Sequence, residues 1–248
     1  MRQTGMTETL TVARFEEQIE HAKALMGDKR YALAAEEIGR AIALGGATAT
    51  ALSLLGDCLT QLNALDDAER HYKHAIEVDA SQSRAYSGLG ILAILRDRPE
   101  VAHSYFDMAI TRDRESDRAH AGKALVLTVE RQLADAFNHW MEALTYNPLN
   151  DVAIFYVTQI AAQVERLAEA ELALEQYLQR RPENHDIRIG LAGICVQRRN
   201  LAKAREQLNI ILATDPNHET AREILTSVEQ NIEKQKTIVG RYGAKVSS

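Results

Sequence analysis

The sequence predicts an all-α protein built from six helix–turn–helix repeats. Three observations carry that prediction. The same residue classes recur every 34 positions, each repeat holds two stretches with apolar spacing near 3.6, and helix breakers are scarce. Of 248 residues only 4 are proline and 13 glycine, so the chain interrupts its helices rarely.

Set in register, the repeats begin at Phe15, Ala49, Ser83, Asp117, Asp151 and His185 and occupy 15–48, 49–82, 83–116, 117–150, 151–184 and 185–218. The twentieth place holds Ala34, Ala68, Ala102, Ala136, Ala170 and Ala204. The eighth holds the small residues Ala22, Gly56, Gly90, Ala124, Thr158 and Ala192. The twenty-fourth is large: Ile38, Tyr72, Phe106, Trp140, Leu174 and Leu208. Small side chains at the eighth and twentieth places let two helices approach closely, and the large one fills the space toward the next repeat. In the third repeat the first helix reads Tyr86, Leu89, Gly90, Ala93, Ile94, and the second reads Ala102, Tyr105, Phe106, Ala109, Ile110. Pro99 opens that second helix, where proline is tolerated. Pro148, Pro182 and Pro216 at the thirty-second place end the second helices of the last three repeats.

These columns resemble the tetratricopeptide repeat family over residues 15–218. Gly46, Ala80 and Arg114 stand where that family commonly has proline, and Lys123 where leucine is common. Tyr177 and Ile211 replace a usual alanine, so wider packing is expected in the last two repeats. The resemblance implies a right-handed superhelical solenoid whose concave groove is lined by the first helix of each repeat. Residues 219–236 place Ala221, Ile224, Leu225, Val228 and Ile232 on one face and polar residues on the other, as suits a capping helix. Residues 1–14 are expected to be a flexible segment or helix extension. Residues 237–248, broken by Gly240 and Gly243, are expected to be a mobile tail.

By the same resemblance, the second, fifth, ninth, twelfth and thirteenth places of each first helix face the groove. In the middle repeats these are Arg84, Ser87, Ile91, Ile94, Leu95, Arg118, Leu125, Val129, Phe155 and Gln159. The apolar members would form one patch, which on a water-exposed surface marks a binding site. Arg84 and Arg118, one repeat apart, would take carboxylates of a ligand. The expected partner is an apolar or amphipathic protein segment with an acidic flank. Some family members clamp the carboxylate-ending tails of chaperones with Lys and Asn. Here Ile19, Lys23, Ser53 and Asp57 stand at the matching places, and Asp57 would repel such a tail. The alternatives are self-assembly into a homo-oligomer, with the tail inserted in a neighbour, and a regulatory subunit of a larger machine.

The remaining chemistry is sparse. A net charge of −6 argues against general nucleic-acid binding. No run of about 18 apolar residues implies membrane insertion. Cys58 and Cys195, 137 positions apart, read as free buried thiols, and a cytoplasmic location is expected. His71 and His74 lack the further ligands zinc needs, and His21 and His120 fall on packing faces. Glu36–Glu37 and Asp66–Asp67 read as solvated charge. No nucleotide-binding glycine loop or nucleophile elbow occurs. No cofactor, metal site or enzymatic activity is expected.

Overall fold

The computed structural model describes residues 2–246, with side chains for 12–235 and 237. Its described residues form thirteen α-helices and no strand. The first helices of the repeats are α1 (Arg2–Gly27), α3 (Ala49–Gln61), α5 (Ser83–Leu95), α7 (Asp117–Val129), α9 (Asp151–Ile160) and α11 (His185–Gln197). The second helices are α2 (Tyr31–Gly45), α4 (Leu65–Val78), α6 (Pro99–Arg112), α8 (Leu133–Tyr146), α10 (Leu167–Arg180) and α12 (Leu201–Thr214), and α13 spans Glu219–Val246. From α3 onward every first helix begins at the first place of its repeat. Two compact units divide the chain: an N-terminal one, Met1–Glu130, and a C-terminal one, Arg131–Ser248.

The periodic starts have a local cause at the thirty-fourth place. Thr48, Ser116, Asn150 and Asn184 each accept a hydrogen bond from the backbone N–H three residues on, at 3.0–3.3 Å. Such caps satisfy one of the orphan donors of a helix start. The second helices end as regularly. Asp79, Asp113, Asn147 and Asp215 at the thirty-first place accept from the N–H two residues later. This side-chain turn stops α4 and α6, whose repeats lack the proline.

The turn inside each repeat carries a backbone signature. Lys29, Asn63, Asp97, Arg131, Glu165 and Arg199, all at the fifteenth place, have φ between 56° and 63°. The next N–H closes back over five residues, as in Ala64 to the Leu59 carbonyl (2.8 Å) and Asn200 to the Cys195 carbonyl (2.8 Å). This is the left-handed closure that glycine adopts most cheaply. Replacing the exposed Glu165 by glycine is therefore expected to stabilise the protein by about 0.5–1 kcal/mol. A fall in the denaturant midpoint of Glu165→Gly would show that the turn does not strain its side chain.

The core follows the columns. All six alanines at the twentieth place and all six large residues at the twenty-fourth are fully buried. In the N-terminal unit the aromatic ring at the twenty-fourth place lies between two glycines. A Cβ on Gly56 would meet the Tyr72 ring at 2.6 Å, and one on Gly88, in the next repeat, at 2.2 Å. Gly90 and Gly122 hold Phe106 in the same way, at 2.7 and 2.1 Å. In the C-terminal unit the sixth place holds Tyr156 instead, and its ring stacks on Trp140 at 4.7 Å.

Three expectations change here and one is decided. Tyr177 is buried, donates to Asp151 Oδ1 (2.5 Å) and accepts from Asn184 (3.0 Å), so the polar end finds partners where wider packing was expected. His21 is exposed, whereas His120 is buried against the Arg114 carbonyl at 3.0 Å. α1 begins at Arg2, inside the segment expected to be either flexible or a helix extension, and so takes the second form, because adding residues to a nucleated helix costs little. α13 runs past Lys236 and through Gly240 and Gly243 to Val246, since one glycine costs a helix only about 1 kcal/mol. Of the expected tail, Ser247 and Ser248 lie outside the described residues, as does Met1. Both cysteines are free and buried, and burial pushes each thiol up to about 11.

Candidate functional site

In the N-terminal unit, α3, α5 and α7 pack side by side, with α4 and α6 behind them. That layering brings charges from three repeats together. Asp57, at the ninth place of α3, is buried. Its Oδ1 accepts from the Tyr72 hydroxyl (2.6 Å) and from Arg118 Nη2 (2.6 Å). Its Oδ2 accepts from Arg84 Nη1 (2.6 Å) and Arg118 Nη1 (2.9 Å). Arg84 and Arg118 hold the second place of α5 and α7. One carboxylate thus ties Arg84, 27 residues on, and Arg118, 61 residues on.

The electrostatics favour this arrangement. Burial and the Asp57 charge hold the Tyr72 hydroxyl protonated, well above the usual phenol range. Burial opposes the charge on Arg118, but Asp57 and the Tyr72 oxygen more than offset it. Charged partners of this kind make the short, strong hydrogen bonds. The Thr60 hydroxyl lies 3.2 Å from the Tyr72 oxygen.

Above the cluster opens a cavity of 410 Å³. Its lining comes mainly from the second, ninth, twelfth and thirteenth places of the first helices. Met26, Ile91 and Tyr31 supply apolar surface, and Gln61 and Thr60 neutral polar groups. Arg84 and Arg118 against Asp57 leave the lining with one excess positive charge.

The groove places expected from the sequence divide accordingly. Arg84, Arg118 and Ile91 line the cavity. Leu95 and Val129, at the thirteenth place of neighbouring helices, are 56% and 72% exposed. Ile94 and Leu125 are half-buried. The fifth place of the first three repeats departs from expectation: Ser87 and Ser53 are fully buried, and Ile19 is buried. Burial removes Ser87 from any open surface, whereas Phe155, at the same place of its own repeat, is exposed. Phe155 (52% exposed) and Gln159 lie on α9 in the C-terminal unit, where the Phe155 ring meets Tyr156 edge-on at 5.4 Å.

Two sequence readings of this region are corrected. Asp57 was expected to repel an acidic ligand, but two guanidiniums offset its charge and the Tyr72 hydroxyl donates to it. Arg84 and Arg118 were expected to stand free for ligand carboxylates, yet both already hold Asp57. The available signal was opposite charge at the ninth place of one repeat and the second place of the next two. Among the described residues no group of three or more His, Cys, Asp or Glu could hold a metal ion. No described helix is long and apolar enough to cross a membrane.

Comparison with known proteins gives a consistent result. Two family models, each described as a tetratricopeptide repeat, match residues 19–85 and 161–228, together more than half of the chain. No curated protein sequence matches. Among solved structures the chain is similar to PilW, a widely conserved type IV pilus biogenesis factor. There the identity is 18% and the TM-score 0.60, over 85% of this chain and 98% of that one. It is similar to PilF of Pseudomonas aeruginosa at 14% identity and TM-score 0.62, covering 88% and 99%. A third is YrrB, described as a TPR protein with an unusual peptide-binding site, at 23% identity and TM-score 0.54, covering 77% and 98%. At these identities the similarity establishes the fold alone.

Proposed function

Because the chain belongs to the tetratricopeptide repeat family, whose members serve as protein–protein interaction scaffolds, we propose that its N-terminal unit binds an apolar or amphipathic segment of a partner protein. The segment lies along the first helices. The observation that carries this reading is the pair Leu95 and Val129. They are large, well exposed and at the same place on adjoining helices. They extend a row that begins with Gly27 and Gln61 in the wall of the cavity. Apolar surface left open beside a shaped cavity is what a docking segment buries. The peptide-binding site in the description of YrrB supports the same reading.

The test is comparative capture. The full chain, the double variant Leu95→Glu/Val129→Glu and the control Leu33→Glu are used to capture partners from native cells, with quantitative mass spectrometry. Leu33 is exposed on α2 and outside the row. A partner held by wild type and control, and reduced about tenfold by the double variant, is the expected result, equivalent to about 1.4 kcal/mol. Equal capture by all three proteins would overturn the reading.

A further inference from the structure

We infer that a cavity between α10, α11 and α12 of the C-terminal unit binds a small inorganic monoanion of the chloride class, held by Arg188 together with Gln207. Arg188 and Leu191 bring the fourth and seventh places of α11 to this cavity, and neither is a groove place. The inference is therefore independent of the peptide surface proposed above.

A buried and uncompensated charge carries the argument. The fourth place holds the buried side chains Leu52, Tyr86 and Ile154 in other repeats. In the last repeat it holds Arg188, which is only 7% exposed. Burying a charge is costly unless an opposite charge and hydrogen bonds offset it. The protein supplies only part of that offset. Nη1 donates to Gln207 Oε1 (2.8 Å) and Nη2 to the Pro182 carbonyl (2.7 Å). Both acceptors are neutral, and Nε is buried with no partner. Burial depresses the Arg188 pKa, and no acid counters it. The acids on α10 are engaged elsewhere. Glu171 pairs with Arg198 and Lys203, and Glu175 pairs with Lys203. Those charges cancel one another, so Arg188 remains in excess.

The same side chain opens onto space. Arg188, Leu191, Gln207, Glu175, Leu178 and Gln179 line a cavity of 340 Å³. Each Nη has a second N–H, and the Gln207 amide nitrogen has no partner among the described residues. An anion beside the Arg188–Gln207 pair accepts from both side chains and supplies the missing negative charge. The rest of the lining sets its kind. Leu178 and Leu191 offer no donor, so a large oxyanion loses hydration that nothing replaces. Glu175 opposes a second negative charge. A small monoanion meets both limits.

The test unfolds the full chain in urea and follows the fluorescence of Trp140, the single tryptophan, which lies in the C-terminal unit. Sodium gluconate, whose anion is bulky, is replaced by sodium chloride or sodium sulfate at constant ionic strength. Chloride is expected to stabilise the wild type saturably. At about ten times its half-saturating concentration it raises the folding equilibrium constant about tenfold. Arg188→Leu places at the fourth position the residue type found at Leu52, and removes a buried charge. It is expected to fold at least as well as wild type in gluconate and to lose the chloride dependence. Broadening of the chloride NMR line by the native wild type gives a second readout that needs no variant, and it should saturate at the same concentration. Equal chloride dependence in wild type and Arg188→Leu, or an absence of saturable broadening, overturns the site. A larger Arg188-dependent response to sulfate than to chloride overturns the assignment to a monoanion.

Discussion

Replacing Asp57 by alanine is expected to destabilise the N-terminal unit by about 3–4 kcal/mol. The substitution removes the single acceptor of four hydrogen bonds. It leaves the buried Tyr72 hydroxyl with only Thr60 Oγ1, at 3.2 Å, and two like charges facing each other with no anion between them. Breaking a buried pair from one side costs far more than the pair contributes net, because the desolvation of the survivor is no longer offset. Arg84→Gln should cost under about 1 kcal/mol, since Arg84 is well exposed and Arg118 still holds Asp57. Chemical denaturation of the full chain, followed by far-UV circular dichroism, separates the two. Similar midpoints for Asp57→Ala and Arg84→Gln would show that the cluster is not a structural tie between repeats. Asp57→Asn, which keeps the size and one acceptor oxygen, should fall between them.

The contrast between these two residues shows what the sequence made legible. The repeat register was fully readable, because the packing places recur and each column needs only one property, small or large. Every first helix from α3 onward starts where the columns put it. The groove places were readable only in part. Arg84, Ile91 and Arg118 line the cavity as expected, but Ser87 is buried, because whether the fifth place is open depends on how closely neighbouring first helices pack. The partner of Arg118 was unreadable for a similar reason. A pairing across 61 residues is set by which places of successive repeats meet, and spacing within one repeat does not give that. The left-handed turn at the fifteenth place gave no signal at all. Six residues, none of them glycine, adopt it, so the conformation comes from helix closure and not from residue choice. At the helix ends the scale of the glycine penalty decided. Gly240 and Gly243 lower the propensity of α13 without ending it.

Among the described glycines, Gly122→Ala meets the closest obstacle and should be strongly destabilising for the addition of a single methyl group. In an ordinary helix interior, alanine gains about 0.8–1 kcal/mol over glycine. At Gly122 a Cβ would sit 2.1 Å from Phe106 Cε1 and 2.4 Å from Cζ, distances no pair of carbons tolerates. Phe106 cannot yield, because it is fully buried and a Cβ on Gly90 would already meet the same ring at 2.7 Å. Either the ring leaves its rotamer or α7 moves away from α6, and such overpacking costs about 1–3 kcal/mol or more. Steric cost should therefore exceed propensity, and we expect a net loss of about 2 kcal/mol. Gly39→Ala, on α2 of the same unit with nothing within 4 Å of the added carbon, should gain stability by about 0.5–1 kcal/mol. The opposite signs are the decisive measurement, since both variants make the same chemical change to a helical glycine. If both stabilise, Phe106 has room to move and the ring is not a wedge between repeats. If the signs differ as expected, Phe106→Leu in the Gly122→Ala background should restore part of the loss, because the shorter side chain withdraws the atoms that the new methyl group meets.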